Sequence, residues 1–433
     1  MDLPSRLSAS SRSFRAGAQR QNFIQKVPQS VRRGLEQRYF VPDVVSIGPY
    51  HHGSDHLVEM EQIKEAVAHD FCHSSLSTVP QFLEAVRPTL QDARRCYADR
   101  FESINYNDFA FMMVVDGCFL LAVMAVFTKS YPEGLDHWSW THGRMLRILK
   151  DILLFENQIP WSVLRALMNL RRVPVDQFVD RILAYFEFDV HSREAPARSQ
   201  WEWDGLNPAH LLDLVHRRHL GGLPPNVGGG GSAIRYCDYA RPFAPFTSAV
   251  ELAEAGIHLH GSNSCRVTEV KVKPTFLVKN IVRLQPFSIG RLVLPRLALS
   301  WLPRCWLINM VALECVTDRS DNSGVSSYLA ILGSLVRAER DVKELRSKRI
   351  LFSTMSDQRT VEFFEGILDP LPRQELYLRT LADIVHLRAS RSARSGIHAF
   401  YHRNRRTIIT FVPLLSLLVA IVAIVVNNSN KHK

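Results

Sequence analysis

The sequence predicts a mainly helical fold with a small β element (α+β), in which a helical cytosolic body is followed by one C-terminal transmembrane helix. Apolar residues recur at helical spacing over most of the chain, which is typical of amphipathic helices. Between residues 256 and 314 the pattern changes, and Val, Ile and Leu alternate with charged residues at 266–272 and 288–299, which is typical of short strands. Residues 408–426 form an apolar run of nineteen residues without a charge, long enough to cross a bilayer.

The chain divides into five segments by composition. Residues 1–30 are rich in Ser, Arg and Gln, so we predict a disordered basic N-terminal tail. Residues 31–390 form the helical body, because 46% hydrophobic and 22% charged residues suit a globular core. A basic juxtamembrane segment, 391–407, leads into the transmembrane helix at 408–426, and a short tail, 427–433, follows.

Within the body, most of the predicted elements are helices. The segment 41–50 is predicted to be extended because Pro42, Gly48 and Pro49 punctuate it. The Gly-rich segment 221–232 is predicted to be a flexible loop, and a Trp-rich loop is expected around 131–140. Helices are predicted over residues 58–73, 82–101, 109–127, 144–155, 161–170, 175–188, 208–219, 326–348, 360–366 and 373–390.

Two apolar runs are long enough to span a membrane. The run at 408–426 would be about 28 Å long as a helix, and an aromatic and basic collar, Tyr401 to Arg406, precedes it. The run at 109–127 is interrupted by Asp116 and Gly117, and a carboxylate at the bilayer centre is costly. We therefore predict that 109–127 is a buried core helix and that 408–426 is the anchor.

The arginines before the anchor predict the orientation of the chain. The positive-inside rule places the body in the cytosol, in a single-pass membrane protein. The plasma membrane is favoured and the endoplasmic reticulum remains open. Residues 1–25 contain no apolar run, so we expect no secretory signal peptide.

The net charge of +11 is concentrated in the tails. Residues 1–40 contribute +6, residues 388–406 contribute +6 and the C-terminal tail adds two lysines. Since these segments account for +14 of the total, residues 41–387 carry a net charge of −3. A folded nucleic-acid-binding domain would carry its basic excess on its own surface, so no nucleic-acid partner is expected. The expected partners are the membrane, through the C-terminal helix, and a protein of unknown identity.

Several ordered blocks of the sequence point to a known family; they are 44–53, 60–64, 93–97, 111–120, 151–160, 249–257, 309–314 and 328–345. Taken together and in order, these blocks resemble the plant family that carries domain of unknown function 247. The similarity runs from about residue 35 to the anchor. The resemblance implies single-pass membrane proteins with the domain in the cytosol and no attached catalytic activity. Some grass members are linked to pollen–stigma self-incompatibility, which implies a recognition module; whether this chain has such a role stays open.

Four acids in apolar surroundings are the most enzyme-like feature of the sequence: Asp116, Asp151, Glu156 and Glu314. Buried carboxylates can serve as acid/base pairs, which suggests an enzyme acting on a membrane-proximal substrate through Asp116, Asp151 and Glu156. They can equally bind backbone N–H groups at helix ends. We favour the structural role, because no nucleophile elbow, P-loop, dinucleotide fingerprint or zinc-protease motif accompanies them.

Two groups of histidine and cysteine residues have the spacing of metal ligands. His69 and His73, with Cys72 between them, have helical ligand spacing, and so do His216 and His219, which follow His210. Neither group has a further ligand cluster, and the seven cysteines form no CxxC pair. We therefore predict no catalytic, cofactor-binding or metal-binding residues and no cofactor, and reduced, buried thiols.

Overall fold

The computed structural model describes most of the body but not the two ends of the chain. The predicted transmembrane helix at 408–426 lies outside the described residues, as do the loop at 131–140 and the segment 222–232. The described residues are 24–74, 78–130, 143–186, 207–221, 248–262, 264, 266–274, 289–317, 323–368, 371 and 375–390.

Helices make up most of the described body, as predicted. Short 3₁₀ turns lie at Gln37–Tyr39, Asp55–Leu57 and Arg87–Thr89. In chain order the first eight α-helices are α1 Gln29–Arg32, α2 Val58–His73, α3 Val79–Val86, α4 Leu90–Arg95, α5 Tyr106–Phe127, α6 Met145–Asp151, α7 Trp161–Met168 and α8 Val175–Leu183. The remaining ones described are α9 Leu211–Leu220, α10 Ala249–Glu254, α11 Trp301–Val316, α12 Gly324–Leu335, α13 Glu339–Ser347, α14 Asp357–Leu368 and α15 Glu375–Ser390.

In the part of the chain that the structure describes, the predicted β element forms two small sheets. The first contains β1 (Ile257–Gly261), β2 (Lys271–Pro274) and β3 (Gly290–Leu294), with β3 in the middle. Strand β3 runs parallel to β1 and antiparallel to β2. In the second sheet, β4 (Leu297–Leu299) pairs in parallel with β5 (Leu351–Ser353).

Helix α5 lies at the centre of the body and confirms the prediction of a buried core helix at 109–127. Asn105 caps its N-terminus by accepting a hydrogen bond from the Asp108 N–H. Within the described residues, α5 is the one helix long and apolar enough to cross a membrane, and 89% of its apolar window is buried in the protein. Its apolar character therefore serves packing against α2, α3, α7 and α8, which surround it.

The larger departures from the predicted helices are two breaks and one helix that was not predicted. The predicted helix 82–101 is broken at Arg87–Thr89, because Pro88 lacks the N–H that a continuous helix requires. The predicted helix 326–348 is interrupted after Leu335, where the Asp341 carboxylate binds the N–H groups of Arg337 and Ala338 and starts α13. Short strands were predicted at 266–272 and 288–299, and β2, β3 and β4 overlap these ranges, but helix α11, which follows them, was not predicted. Its apolar residues show little helical period because most of the helix is buried.

The predicted disordered tail of residues 1–30 was wrong for its last seven residues. Ile24 is fully buried and forms a β-bridge with Tyr97, and Val27 is 3% exposed. A segment with so few large apolar residues is ordered here because the folded body supplies hydrogen-bond partners for its backbone. The ordered body therefore begins by Ile24.

Candidate functional site around residues 43 to 48

Two of the four predicted acids, Asp116 and Asp151, bind the extended stretch of residues 43–48, which is called the 43–48 segment. This stretch, predicted to be extended, is neither helical nor paired with another strand. Its peptide groups must therefore find other partners if they are buried. Side chains from α2, from α5 and from the region 151–157 supply them.

Asp151, the last residue of α6, binds the start of the 43–48 segment. Its carboxylate accepts hydrogen bonds from the N–H groups of Asp43 (2.9 Å), Val44 (2.7 Å) and Val45 (3.0 Å). The Lys150 Nζ lies 3.4 Å from the Asp151 Oδ1 and 2.7 Å from the Asp43 Oδ2. Burial raises the pKa of Asp151 to about 6, although Lys150 and the three amides act in the opposite direction.

Asn157 continues this pattern in the middle of the segment. Its Oδ1 accepts from the Ile47 N–H at 2.7 Å, while its Nδ2 donates to the carbonyls of Val45 and Asp151, both at 2.9 Å. Asn157 is fully buried. One amide side chain thus replaces the hydrogen bonds that a neighbouring strand would make, and it joins the segment to the end of α6.

Asp116, in the middle of α5, binds the other end of the segment. Its Oδ2 accepts from the Gly48 N–H at 2.7 Å and its Oδ1 from the Lys64 Nζ at 2.6 Å. Lys64 also donates to the Ser46 carbonyl at 2.8 Å, and Glu61 lies 2.9 Å from the same ammonium group. Burial raises the pKa of Asp116, and the Lys64 ammonium and the Gly48 N–H oppose that rise.

Lys64 belongs to this network, although the sequence did not predict it as a site residue. It is fully buried, on the face of α2 that also carries Met60 and Phe71. A lysine among apolar residues at helical spacing was the available signal, since lysine is almost never fully buried unless it is paired.

Two glycines allow the close approaches around this network. Gly48 has φ +75°, and a Cβ there would lie 2.6 Å from the Gln158 carbonyl oxygen. A Cβ at Gly117 would lie 2.3 Å from Leu167 Cδ1 of α7. Residues 116 and 117 therefore have distinct tasks, because Asp116 binds the segment and Gly117 lets α7 approach α5.

Glu156 connects the network to the N-terminal segment. Its Oε1 accepts from the Val27 N–H at 2.5 Å and from the guanidinium of Arg32, and His51 Nε2 lies 3.5 Å from its Oε2. Burial acts to raise the pKa of Glu156, but the nearby His51 ring and the hydrogen bonds from Val27 and Arg32 outweigh it and lower the pKa. Glu156 thus tethers residues 27–32 to the body.

Glu314 has a separate task from the other three acids. Its two oxygens accept from the Val325 N–H (2.9 Å) and the Ser326 N–H (2.7 Å) at the start of α12. The His216 Nε2 lies 2.6 Å from its Oε1. Glu314 therefore binds backbone donors that a helix N-terminus leaves free.

All four acids are consequently bound by the protein itself. Asp116, Asp151 and Glu156 are exposed by only 1%, 0% and 3%, and each accepts at least one backbone N–H bond. An acid/base catalyst needs an oxygen within reach of a substrate. The geometry supports the structural interpretation of these acids and gives no support to an enzyme that acts through them.

The candidate metal ligands are not brought together. His69 is exposed, whereas Cys72 points into the core with its Sγ 3.9 Å from that of Cys118. His73 lies beside the His69 ring, and no group of three or more His, Cys, Asp or Glu that could hold a metal occurs among the described residues.

The second histidine group is dispersed in the same way. The His210 Nδ1 accepts from the Asp213 N–H at the start of α9, His216 binds Glu314, and the His219 ring stacks on Phe186. Burial lowers the pKa of His210 to about 4 and that of His219 to about 3, so both rings are neutral at physiological pH. The free cysteines of the described part, all thiols, are Cys72, Cys96, Cys118, Cys305 and Cys315.

The structure is that of a mainly helical protein in which buried acids bind an extended segment of its own backbone. The family described as plant protein of unknown function, DUF247, matches residues 24–426. The chain belongs to this family, as the sequence blocks indicated. The match starts at the first described residue of the body and reaches the end of the apolar run.

Two Arabidopsis thaliana proteins are similar to this chain. A UPF0481 protein is 27% identical, over 79% of this chain and 72% of its own length. A second UPF0481 protein is 23% identical, over 76% of this chain and 74% of its own length. No solved structure matches the chain. Neither the family description nor these names indicate an enzymatic activity.

Proposed function

We propose that this protein is a membrane-tethered protein-interaction or recognition module, with its body in the cytosol and residues 408–426 as its anchor. The observation that carries the interaction role is the state of the buried acids. Asp116, Asp151 and Glu156 are used to hold the 43–48 segment and residues 27–32 in place. Because the buried polar side chains bind the protein's own backbone, they make the body rigid, and a rigid surface is suited to recognising a partner.

The tether is supported by composition and by the extent of the family match. Residues 408–426 carry no charge over a length that spans the hydrocarbon core, and six arginines lie between 388 and 406. The family match includes this whole run, so the apolar segment belongs to the family pattern and is not an addition to it.

Proximity labelling in plant cells tests both parts of the proposal. A labelling enzyme is fused to the N-terminus of three chains: the full chain, a chain that ends at Arg406, and a chain whose residues 408–426 are replaced by an unrelated transmembrane helix of equal length. The enzyme fused to residues 391–433 alone serves as the background.

We expect the full chain and the anchor-swapped chain to label the same membrane neighbours, and the truncated chain to lose them. If truncation leaves location and neighbours unchanged, the tether is wrong. If the full chain labels only what residues 391–433 alone label, the body has no interaction role. The plasma membrane is the first location to examine, then the endoplasmic reticulum.

A further inference from the structure

The outer face of the three-stranded sheet is basic. Paired residues share a face of a sheet, so the register places His258, Arg291 and Lys273 in one row across β1, β3 and β2. The next row is His260, Val293 and Lys271. The basic face is defined as the exposed residues His260, Lys271, Lys273 and Arg291 of these two rows.

The opposite face of the same sheet packs into the body. Leu259 is 1% exposed, Leu292 is fully buried, and Val272 packs against the core. On the basic face, by contrast, His260, Lys271, Lys273 and Arg291 are exposed. The alternation of the strands therefore directs a set of cations to one outward surface.

These cations lack the acidic partners found elsewhere on the body. Arg266 pairs with Glu269, and Lys348 pairs with Glu344. Across the part of the chain that the structure describes, Lys271, Lys273 and Arg291 form no ion pair. Like charges that face each other across strands are unfavourable, and Arg291 is directly opposite Lys273. An anionic partner would relieve this repulsion.

The proposed anchor makes a membrane the nearest anionic surface. Helix α15 packs on this sheet, since a Cβ at Gly290 of β3 would lie 2.3 Å from Leu387 Cδ2. The chain leaves α15 at Ser390, and seventeen residues separate it from the anchor at Ile408. Seventeen residues reach at most about 60 Å, so the tether keeps the sheet at a high effective concentration near the bilayer.

We propose that the basic face of the β1–β3–β2 sheet binds the anionic headgroups of the membrane to which the chain is anchored. A sheet face that exposes Lys271, Lys273 and Arg291 side by side fits a layer of lipid phosphates, and the cytosolic leaflet is the anionic one. A nucleic acid offers similar phosphate charges, but the proposed anchor holds a bilayer, and not a nucleic acid, close to this face. The proximity argument rests on the proposed anchor, whereas the charge argument does not.

Lysine footprinting of the full chain in liposomes tests the proposal. The protein is reconstituted in phosphatidylcholine alone or with added phosphatidylserine, and a water-soluble acetylating reagent is applied. Mass spectrometry then gives the acetylation rate of each lysine. Lys343, exposed on α13, is the internal reference. We expect phosphatidylserine to slow acetylation of Lys271 and Lys273 about threefold or more, to leave Lys343 unchanged, and to lose its effect at high salt.

A charge-reversed variant supplies the second measurement. Hydrogen exchange of β2 and β3 is compared between K271E/K273E/R291E and the matched control K26E/R340E/K343E, whose positions are all exposed. We expect phosphatidylserine to protect these strands in the wild type and in the control but not in K271E/K273E/R291E. Protection that persists in K271E/K273E/R291E overturns the proposal.

The remaining outcomes separate this proposal from the proposed tether. Equal acetylation of Lys271 and Lys273 in the two lipids refutes lipid binding by the sheet. Stronger protection by an added RNA oligonucleotide than by phosphatidylserine assigns the face to nucleic acid and also refutes it. Flotation with phosphatidylcholine liposomes after an alkaline wash reports the anchor alone. If the chain does not float with phosphatidylcholine liposomes but phosphatidylserine still protects the lysines, the proposed anchor is wrong and lipid binding by the basic face is supported.

Discussion

The Lys64 ammonium lies 2.6 Å from the Asp116 carboxylate, and both side chains are almost completely buried. Two charges removed from water are stable only when the pair and its remaining hydrogen bonds are complete. Here Ser46, Gly48 and Glu61 complete them. The pair therefore connects α2, α5 and the 43–48 segment, and its effect on stability can be measured.

The two single substitutions at this pair should together lower the free energy of unfolding by more than the double substitution does. We expect Lys64→Met to lower the free energy of unfolding by about 3–5 kcal/mol, because Asp116 is left buried without its cation. Asp116→Asn should cost less, since Asn can still accept from Gly48. In equilibrium urea unfolding, the double variant should be more stable than the sum of the single effects by about 1 kcal/mol or more.

An exposed ion pair provides the control for this cycle. Glu84 and Arg87 lie 2.8 Å apart with side chains 66% and 56% exposed, so Glu84→Ala should change stability by at most about 0.5 kcal/mol. Additive effects of the two single substitutions at positions 64 and 116 would show that the buried contact does not couple them.

Asp151 should make stability fall as pH rises. Its pKa is about 6 in the folded chain, above the ordinary value of an aspartate, so the folded state binds the proton more tightly than the unfolded state. This contribution is present below about pH 4 and is lost as pH rises through about 6. Asp151→Asn lacks the titration. We therefore expect wild type to gain stability relative to Asp151→Asn when the pH is lowered from 7 to 5.

Unfolding of both proteins in urea at the two pH values checks this sign. Taking the difference between wild type and variant removes the titration of groups such as Glu156, whose pKa is lowered and which acts in the opposite direction. If the stability of wild type relative to Asp151→Asn falls when the pH is lowered from 7 to 5, the effect of the three amides and Lys150 on the pKa of Asp151 outweighs that of burial.

Gly48→Ala should be much more damaging than Gly53→Ala. Both glycines have positive φ, +75° and +74°, so each alanine carries a backbone cost of about 1 kcal/mol. Only at Gly48 would the Cβ meet the Gln158 carbonyl and the Tyr97 hydroxyl, whereas nothing lies within 4 Å at Gly53. We expect the variants to differ by about 2 kcal/mol or more in urea unfolding; equal losses would contradict the close packing at residue 48.

Glu314→Ala should destabilise the start of α12. It would leave the N–H groups of Val325 and Ser326 without acceptors, and His216 without its partner. We expect a loss of about 3 kcal/mol or more in the free energy of unfolding, with faster hydrogen exchange at residues 325 and 326. Glu344→Ala, which removes a partly exposed partner of Lys348, is the control and should cost about 0.5 kcal/mol or less. A comparable loss in both variants would argue against the capping role of Glu314.

The core helix was predictable because two local signals agree. A run of nineteen residues that is apolar except at Asp116 and Gly117 predicts burial, and Asp116 argues against a bilayer as the burying medium. The partners of Asp116 were not predictable, since Gly48 and Lys64 are 68 and 52 residues away in sequence. Helix α11 was missed for a related reason, because full burial removes the apolar period that reveals a helix.

The basic face of the sheet shows a limit of arguments from net charge. Residues 41–387 carry a net charge of −3, yet Lys271, Lys273 and Arg291 are exposed together on one side of the sheet. Charge summed along the chain does not say which residues become neighbours. Only the register, with Arg291 between His258 and Lys273, places them together.

The sequence by itself determined the family, the helical character of the body, the buried core helix and the ordered blocks around the four acids. These properties depend on residue type and on spacing along a few turns of chain. The tertiary structure alone decided that Asp151 and Asn157 bind the 43–48 segment, that Lys64 is buried, that order begins by Ile24 and that the sheet has a basic face. The physical reason is that buried hydrogen bonds and charges must find partners wherever the fold brings them, and those partners lie far apart along the chain.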